Sequence, residues 1–417
     1  MSQAKPFEIS KQVVMEAYKR VRAKQGACGV DGESIQDFEE DLKGNLYKVW
    51  NRMSSGSYFP PAVRRVEIPK ASGGKRPLGI PTVADRIAQM VVKIYLEPKL
   101  EPYFHKDSYG YRPKKSAIEA LGVARERSWR YGWVLDLDIV GFFDNLDHEL
   151  LMRAVKKHTD YKWIVLYIER WLKAPAQLED GTLVKREKGT PQGGVISPLL
   201  ANLFLHYALD EWMKRNYPDI EFERYADDAV FHCVTEEEVK ALKTAIGERL
   251  AECRLELHPE KTKIVFCKSD QRRGNYPNEK FDFLGYTFRP RTARSHSEEL
   301  FVGFNPAVSN DAVKSMRQTM RTWKVHRRAD MELLELSRKY NPIIRGWVNY
   351  YSKYNKTSLY PTFYHLNRTL IRWAMRKYQR FRIHQRRAAC WLAEIARRDP
   401  QLFAHWQMGA RPATVGR

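Results

Sequence analysis

Apolar and polar positions change period along the chain, and the changes mark its elements. Over residues 10–53 apolar side chains recur at helical spacing in two amphipathic stretches that flank the turn-like Gly29-Val30-Asp31-Gly32. Residues 64–81 read as two short strands around Ser72-Gly73-Gly74, and Thr82, with Asp85 at the capping-box distance, predicts the start of a long helix. Between residue 116 and about residue 288 helices and strands alternate. The strands are short, several are joined by hairpin-like turns, and no Gly-rich phosphate loop follows any of them, which favours an antiparallel sheet backed by helices over a doubly wound parallel sheet. After about Phe304 strand signals vanish, and helices are expected near 308–328, 331–351, 360–380 and 387–398. The expected fold class is α+β, ending in a basic helical module.

Two elements carry acids where strands end. In Trp133-Val134-Leu135-Asp136-Leu137-Asp138-Ile139 a period of two puts Trp133, Leu135, Leu137 and Ile139 on one face and Asp136 and Asp138 on the other. A solvent-facing strand accounts for that segment on its own. Residues 222–226 and 229–233 read as a hairpin with Asp227-Asp228 at its tip, and Asp is common in turns. Taken together the two elements suggest phosphoryl transfer to a 3′-hydroxyl, which is served by two Mg²⁺ ions roughly 3.5–4 Å apart on carboxylates from separate rigid strands. Mg²⁺ keeps several waters and takes only one or two protein carboxylates, so such a site requires no His/Cys cage.

Charge narrows the partners. The chain has 72 Lys+Arg against 50 Asp+Glu, a formal charge of +22, and a polyanion is the simplest compensating partner. Nucleic acid comes first and an anionic membrane surface second. No apolar run approaches the roughly 20 residues that span a bilayer, and residues 1–10 lack the apolar core of a signal peptide, so no membrane partner and a cytoplasmic location are expected. The five cysteines are scattered without a C-x-x-C pair, and neither a disulfide framework nor zinc is expected. No internal repeat or low-complexity segment is visible.

Against this background Tyr225-Ala226-Asp227-Asp228 resembles the Y-x-D-D box of reverse transcriptases, and Asp138-Ile139-Val140-Gly141-Phe142-Phe143-Asp144 resembles their first carboxylate motif. The resemblance selects Asp138 over Asp136 as metal ligand, with Ile139 beside it, and makes Asp138, Asp227 and Asp228 the catalytic set. It implies that Phe143 is the bulky gate against a 2′-hydroxyl, whereas Phe142 suits a core aromatic. Gly189-Thr190-Pro191-Gln192-Gly193-Gly194 resembles the loop under the template and nascent base pair. There the glycines allow close backbone approach to a ligand, and the Gln192 amide can donate and accept. Ile68-Pro69-Lys70 to Lys75-Arg76-Pro77 resembles the fingers motif whose cations, here Lys70 and Arg76, hold a triphosphate; Lys75 suits a solvated basic hairpin. Further matches lie at Ser108-Tyr109-Gly110-Tyr111-Arg112-Pro113, Leu257-His258-Pro259-Glu260-Lys261 and Phe283-Leu284-Gly285-Tyr286, mostly scaffold in the family. Arg112 and Lys261, with Tyr225 and Gly193, are the expected template, primer or RNA contacts.

Ile344-Arg345-Gly346-Trp347-Val348-Asn349-Tyr350-Tyr351 resembles the maturase, or thumb, region of group II intron proteins, although a Trp/Tyr stripe at helical spacing is usually core. Beyond it Arg376, Lys377, Arg380, Arg386 and Arg387, interleaved with Trp373, Tyr378, Phe381 and Trp391, suit a DNA-binding surface or a solvated helix face. The resemblance implies a right-hand polymerase: N-terminal extension and fingers over 1–115, palm over 116–300, thumb over 301–370 and a basic DNA-binding tail over 371–417. It implies an RNA-directed DNA polymerase of a group II intron that uses two Mg²⁺ and dNTPs, binds its intron RNA as a ribonucleoprotein, and engages a DNA target and primer, meeting the bacterial nucleoid during mobility. The chain stops at Arg417 without the Cys-paired nuclease domain of longer relatives, so second-strand cleavage is not expected. Two alternatives stay open: a domesticated relative serving spacer acquisition, defence or repair, and an RNA-binding splicing factor with a vestigial polymerase site.

Overall fold

The structure, a computed structural model, describes residues 5–69, 74–294 and 298–412. The chain divides into two compact units, Met1–Ile264 and Val265–Arg417.

In the first unit, helix Lys11–Lys24 starts where Ser10 Oγ accepts from the Gln12 N–H, and it buries Val14, Ala17, Tyr18 and Val21 on one stripe. The second amphipathic stretch is not one helix. It breaks at Asp41, whose non-helical backbone and side chain cap the next turn through the Gly44 N–H, giving Ile35–Glu40 and Leu42–Ser55. Thr82 caps Val83–Leu100 by accepting from the Asp85 N–H. The expected return bond of a capping box gives way to burial, because the Asp85 carboxylate accepts from Tyr58 Oη (2.8 Å), Trp171 Nε1 (2.7 Å) and Gln89 Nε2 (3.0 Å).

Two sheets position the motifs of this unit. Val63–Pro69 and Lys75–Ile80 form the expected antiparallel hairpin, with Ala176–Gln177 parallel to its first strand and Leu183–Val184 at the edge. Lys70, Ser72 and Gly73 lie outside the described residues. The other sheet runs in the order Glu221–Tyr225, Asp228–Cys233, Trp133–Leu137 and Lys263–Phe266, the last being the strand on which the first unit ends. Its first three strands are antiparallel, and helices Ala117–Arg130 and Glu236–Glu252 pack on it. Val134 is as completely buried as Leu135 and Leu137. Both faces are therefore covered where the strand starts, and polarity appears only towards its end, at Asp136 and Asp138.

In the second unit Phe281–Phe283, Tyr286–Arg294 and Leu300–Val308 form an antiparallel sheet. Strand structure thus outlasts its sequence signal. Asn305 and Pro306 are poor strand formers, but pairing with Arg289 and Phe288 overrides their propensity. Helices follow at Asn310–Thr322, Leu333–Asn355, Tyr360–Lys377 and Gln385–Arg398. Trp323 stacks on Tyr340 (ring centroids 4.5 Å) and Trp347 (5.6 Å), and Tyr286 is bracketed by Tyr350 and Tyr351, so the Trp/Tyr stripe is core. The aromatics between the tail arginines are core as well: Tyr378, Phe381 and Trp391 pack on one another, and Trp373, fully buried, adjoins Tyr378. They are not the exposed part of the DNA-binding surface that their interleaving with arginine suited. No helix among the described residues is long and apolar enough to cross a membrane.

Candidate active site

The site forms where two antiparallel strands diverge. Leu137 pairs with Ala229 and Tyr225 with Asp228. One step further along the first register, Asp138 comes to the position opposite Asp228. There the chain leaves that strand: the His258 N–H and Thr262 Oγ1 donate to the Asp138 carbonyl (2.8 and 3.1 Å), the Val140 N–H donates to the Glu256 carbonyl, and Ile139 bridges to Leu257. The Asp138 backbone is therefore fixed while its carboxylate stays partly exposed, 3.6 Å from Lys261 Nζ. The Ile139 side chain is buried. The hairpin turn itself consists of Ala226 and Asp227, with Asp228 already in the strand. Ala226 has φ 60°, a conformation that a residue with Cβ adopts only when its surroundings impose it.

Those surroundings are visible. Arg224, fully buried, donates to both Asp210 oxygens (Nε–Oδ1 2.8 Å, Nη2–Oδ2 2.6 Å), and its Nη1 reaches the Ala226 carbonyl (2.8 Å) and Asn202 Oδ1 (3.1 Å). On the outer side, the segment around Tyr109 pairs with Arg224 main chain, and a Cβ on Gly110 would meet Ala226 N at 2.4 Å. Only glycine permits that approach. Tyr111 then stands near Tyr225 (ring centroids 6.4 Å) and close enough to Asp227 for that carboxylate to reinforce burial in raising its phenol pKa.

Burial, and then the neighbouring Asp227 and Asp138, push the Asp228 carboxyl up to about 7. Asp227 is raised by burial first and by Asp138 next, with Arg76 opposing. Asp227 and Asp228 thus both feel the Asp138 carboxylate, and the negative charge gathered here is only partly offset by Lys261 and Arg76. Among the described residues no three His, Cys, Asp or Glu side chains form a ready-made metal cage. A cation completed largely by water fits this arrangement, because the carboxylates present are few, oxygen-only and mutually repelling.

The remaining sequence candidates fall into two groups. Phe143 is half-exposed on the short helix Phe142–Asn145, against buried Phe142 (ring centroids 5.5 Å). The Gln192 loop docks on that helix: the Gly189 N–H donates to the Leu146 carbonyl, the Thr190 N–H to the Phe143 carbonyl (both 2.7 Å), and Gln192 Nε2 to Asp144 Oδ2 (3.4 Å). The backbone that Gly193 approaches is the protein's own. A Cβ there would meet the Gly79 carbonyl at 2.5 Å, so this glycine joins the loop to the strand bearing Arg76.

Arg112 is a correction. Its guanidinium is buried against Glu101 and the His105 and Ser108 carbonyls, which leaves it an internal clamp rather than an RNA contact. Lys377 is likewise held by Glu332 (2.7 Å) and the Ala329 carbonyl. Arg376 is exposed with one long bond to the His326 carbonyl, Arg380 lies over the Phe381 ring, and Arg386 and Arg387 are exposed. Lys75 pairs with Glu67 (2.8 Å). Sequence reasoning missed Arg224, Asp210, Asn202 and Tyr111. Of these, Tyr111 and Arg224 stood in segments already singled out, without a role assigned to either.

An antiparallel sheet that gathers acids from a strand end and a hairpin turn, beside a basic β-hairpin and a glycine-rich loop, defines a nucleotidyltransferase of the polymerase kind. The pattern of the reverse transcriptase (RNA-dependent DNA polymerase) family matches residues 68–288, and that of the group II intron maturase-specific domain matches 313–391. The chain belongs to the reverse transcriptase family, in its group II intron reverse transcriptase/maturase branch. It is 30% identical to protein YkfC of Escherichia coli over 310 residues, covering 64% of this chain and 77% of that protein. It is 39% identical to the group II intron-encoded protein LtrA of Lactococcus lactis over 194 residues, 46% of this chain and 32% of LtrA. The chain thus matches about a third of LtrA's length. The family uses divalent metal ions.

Proposed function

We propose that the protein extends a DNA primer on an RNA template with Mg²⁺ and dNTPs, and that it binds group II intron RNA to promote splicing and to be copied during mobility. The observation that carries the polymerase reading is the meeting of Asp138, Asp227 and Asp228 at the divergence of two strands, with their charges only partly offset. These three side chains would hold two Mg²⁺, with the Ile139 carbonyl beside them; bound there, the ions supply activation of the 3′-hydroxyl and charge stabilisation of the leaving pyrophosphate. The protein's own residues do the rest. Arg76, with Lys70, neutralises triphosphate charge; Phe143 closes the space a 2′-hydroxyl would need; Gln192 sits below the nascent pair; Lys261 steadies the Asp138 carboxylate; and Tyr225 and Gly193 line the primer and template path. In this reading 1–115 form the N-terminal extension and fingers, 116–300 the palm, 301–370 the thumb and 371–417 a basic tail. Exposed Arg376, Arg380, Arg386 and Arg387 are tail groups that would meet a DNA target. The setting is the bacterial cytoplasm, on nucleoid DNA during mobility.

Primer extension on an RNA template is the test. Asp227→Asn is expected to lower it by several orders of magnitude while RNA affinity persists. Extension at the wild-type rate would sink the site assignment.

A further inference from the structure

The hairpin Val63–Pro69 and Lys75–Ile80 has two faces. Directly paired residues share a face, so Arg65, Glu67, Pro77 and Gly79 lie on one side and Arg76, Leu78 and Ile68 on the other. Against the first side stands a cavity of about 320 Å³, bounded by Lys185, Arg186, Lys188 and the loop from Gly189 through Gln192. Its charged lining is Arg65, Lys185, Arg186 and Lys188 against one carboxylate, Asp144. That carboxylate already accepts from Gln192. Glu67, on the same face as Arg65, is engaged more closely by Lys75 (2.8 Å) than by Arg65 (3.9 Å).

Arg186 is the telling member. Its Nη1 is buried without a hydrogen-bond partner, and burial lowers its pKa, with Asp144 opposing. A desolvated guanidinium donor left unmatched is costly to the folded protein, and a fixed fork of donors in a cationic pocket matches a phosphate. We propose that this cavity is an anion site that takes a backbone phosphate of an RNA strand, on the side of the hairpin away from Arg76. The idea rests on the reading that the protein handles RNA, and it adds a grip that borders the nucleotide site at Gln192.

The experiment measures the affinity of wild type, Arg186→Gln and Lys188→Gln across a salt series. The probes are a primer annealed to an RNA template with a long single-stranded overhang, the same duplex without overhang, and a structured RNA without primer. Each variant is expected to bind about tenfold more weakly, with a salt slope shallower by about 0.7–0.9 for the phosphate lost. Turnover and dNTP KM should stay unchanged. Loss confined to the overhang places the strand as template; loss confined to the structured RNA places it as intron-type RNA. Because the unmatched donor strains the fold, Arg186→Gln should hold or raise Tm. Unchanged affinity and slope on all three probes, or a lowered Tm with RNA affinity intact, overturns the site. A wild type that binds RNA without extending primers would instead sink the polymerase reading and leave the pocket standing.

Discussion

Arg224 and Asp210 form a bidentate pair with both side chains out of water, and the same guanidinium holds the carbonyl of Ala226, the strained residue of the turn. The pair ties the Asp227 turn to Asp210, the last residue of the π-helical turn His206–Asp210. Asp210→Asn leaves a buried charge poorly matched and is expected to cost about 3–5 kcal/mol in denaturant unfolding. Arg224→Lys keeps the charge but cannot span two Asp210 oxygens and the Ala226 carbonyl together. It should lower kcat for primer extension roughly tenfold or more with little change in KM for dNTP. A variant that loses stability yet turns over normally would reduce the pair to scaffold.

Phe142 and Phe143 are adjacent but divide their work: the first is buried and the second half-exposed above it. Phe143→Ala removes exposed bulk without opening the core. The ratio of kcat/KM for dNTP over rNTP should fall by about tenfold or more, while Tm changes little. Unchanged sugar discrimination would remove Phe143 from the nucleotide site.

The local signals that the sequence carries best are those with short range. The period-two strand at 133–137 and the hairpin around Asp227 were legible because alternation and turn residues act within a few positions. What holds them was not legible. Arg224 lies between Glu223 and Tyr225 in a strand whose two faces are both covered, so nothing local distinguishes a buried clamp from a solvated cation. Arg112 and Lys377 erred in the opposite direction. Their partners Glu101 and Glu332 lie 11 and 45 positions away, and charge density alone cannot reveal such pairing. The tail aromatics misled for the same reason, since their spacing suits a stacking surface and a core equally well.

Gly193 has φ 123° and faces the Gly79 carbonyl. Gly193→Ala therefore meets both a backbone conformation that L side chains rarely adopt and a clash with main chain. It is expected to cost about 1–3 kcal/mol and, by displacing the Gln192 loop from the hairpin strand, to raise the dNTP KM. Crystallographic or kinetic evidence of an unmoved loop, with wild-type KM, would contradict this account.

Asp85 links stability to pH in an unusual direction. Burial raises its carboxyl from 3.8 to about 6, against the hydrogen bonds from Trp171, Tyr58 and Gln89 that favour the ionised form. Because the folded-state pKa is the higher one, the folded protein holds this proton more tightly than the unfolded chain does. The resulting stability is fully present below about pH 4 and is lost as pH rises through about 6, amounting to about 3 kcal/mol at most. Asp85→Asn cannot titrate, and it also withdraws an acceptor from Gln89, whose Oε1 is already taken by the Ile196 N–H. Unfolding free energies measured in urea between about pH 4 and pH 7 should show the wild type losing ground to Asp85→Asn as pH rises. A difference that stays flat across that range would mean the carboxyl titrates alike in both states, and its burial beside Trp171 would then carry no pH dependence.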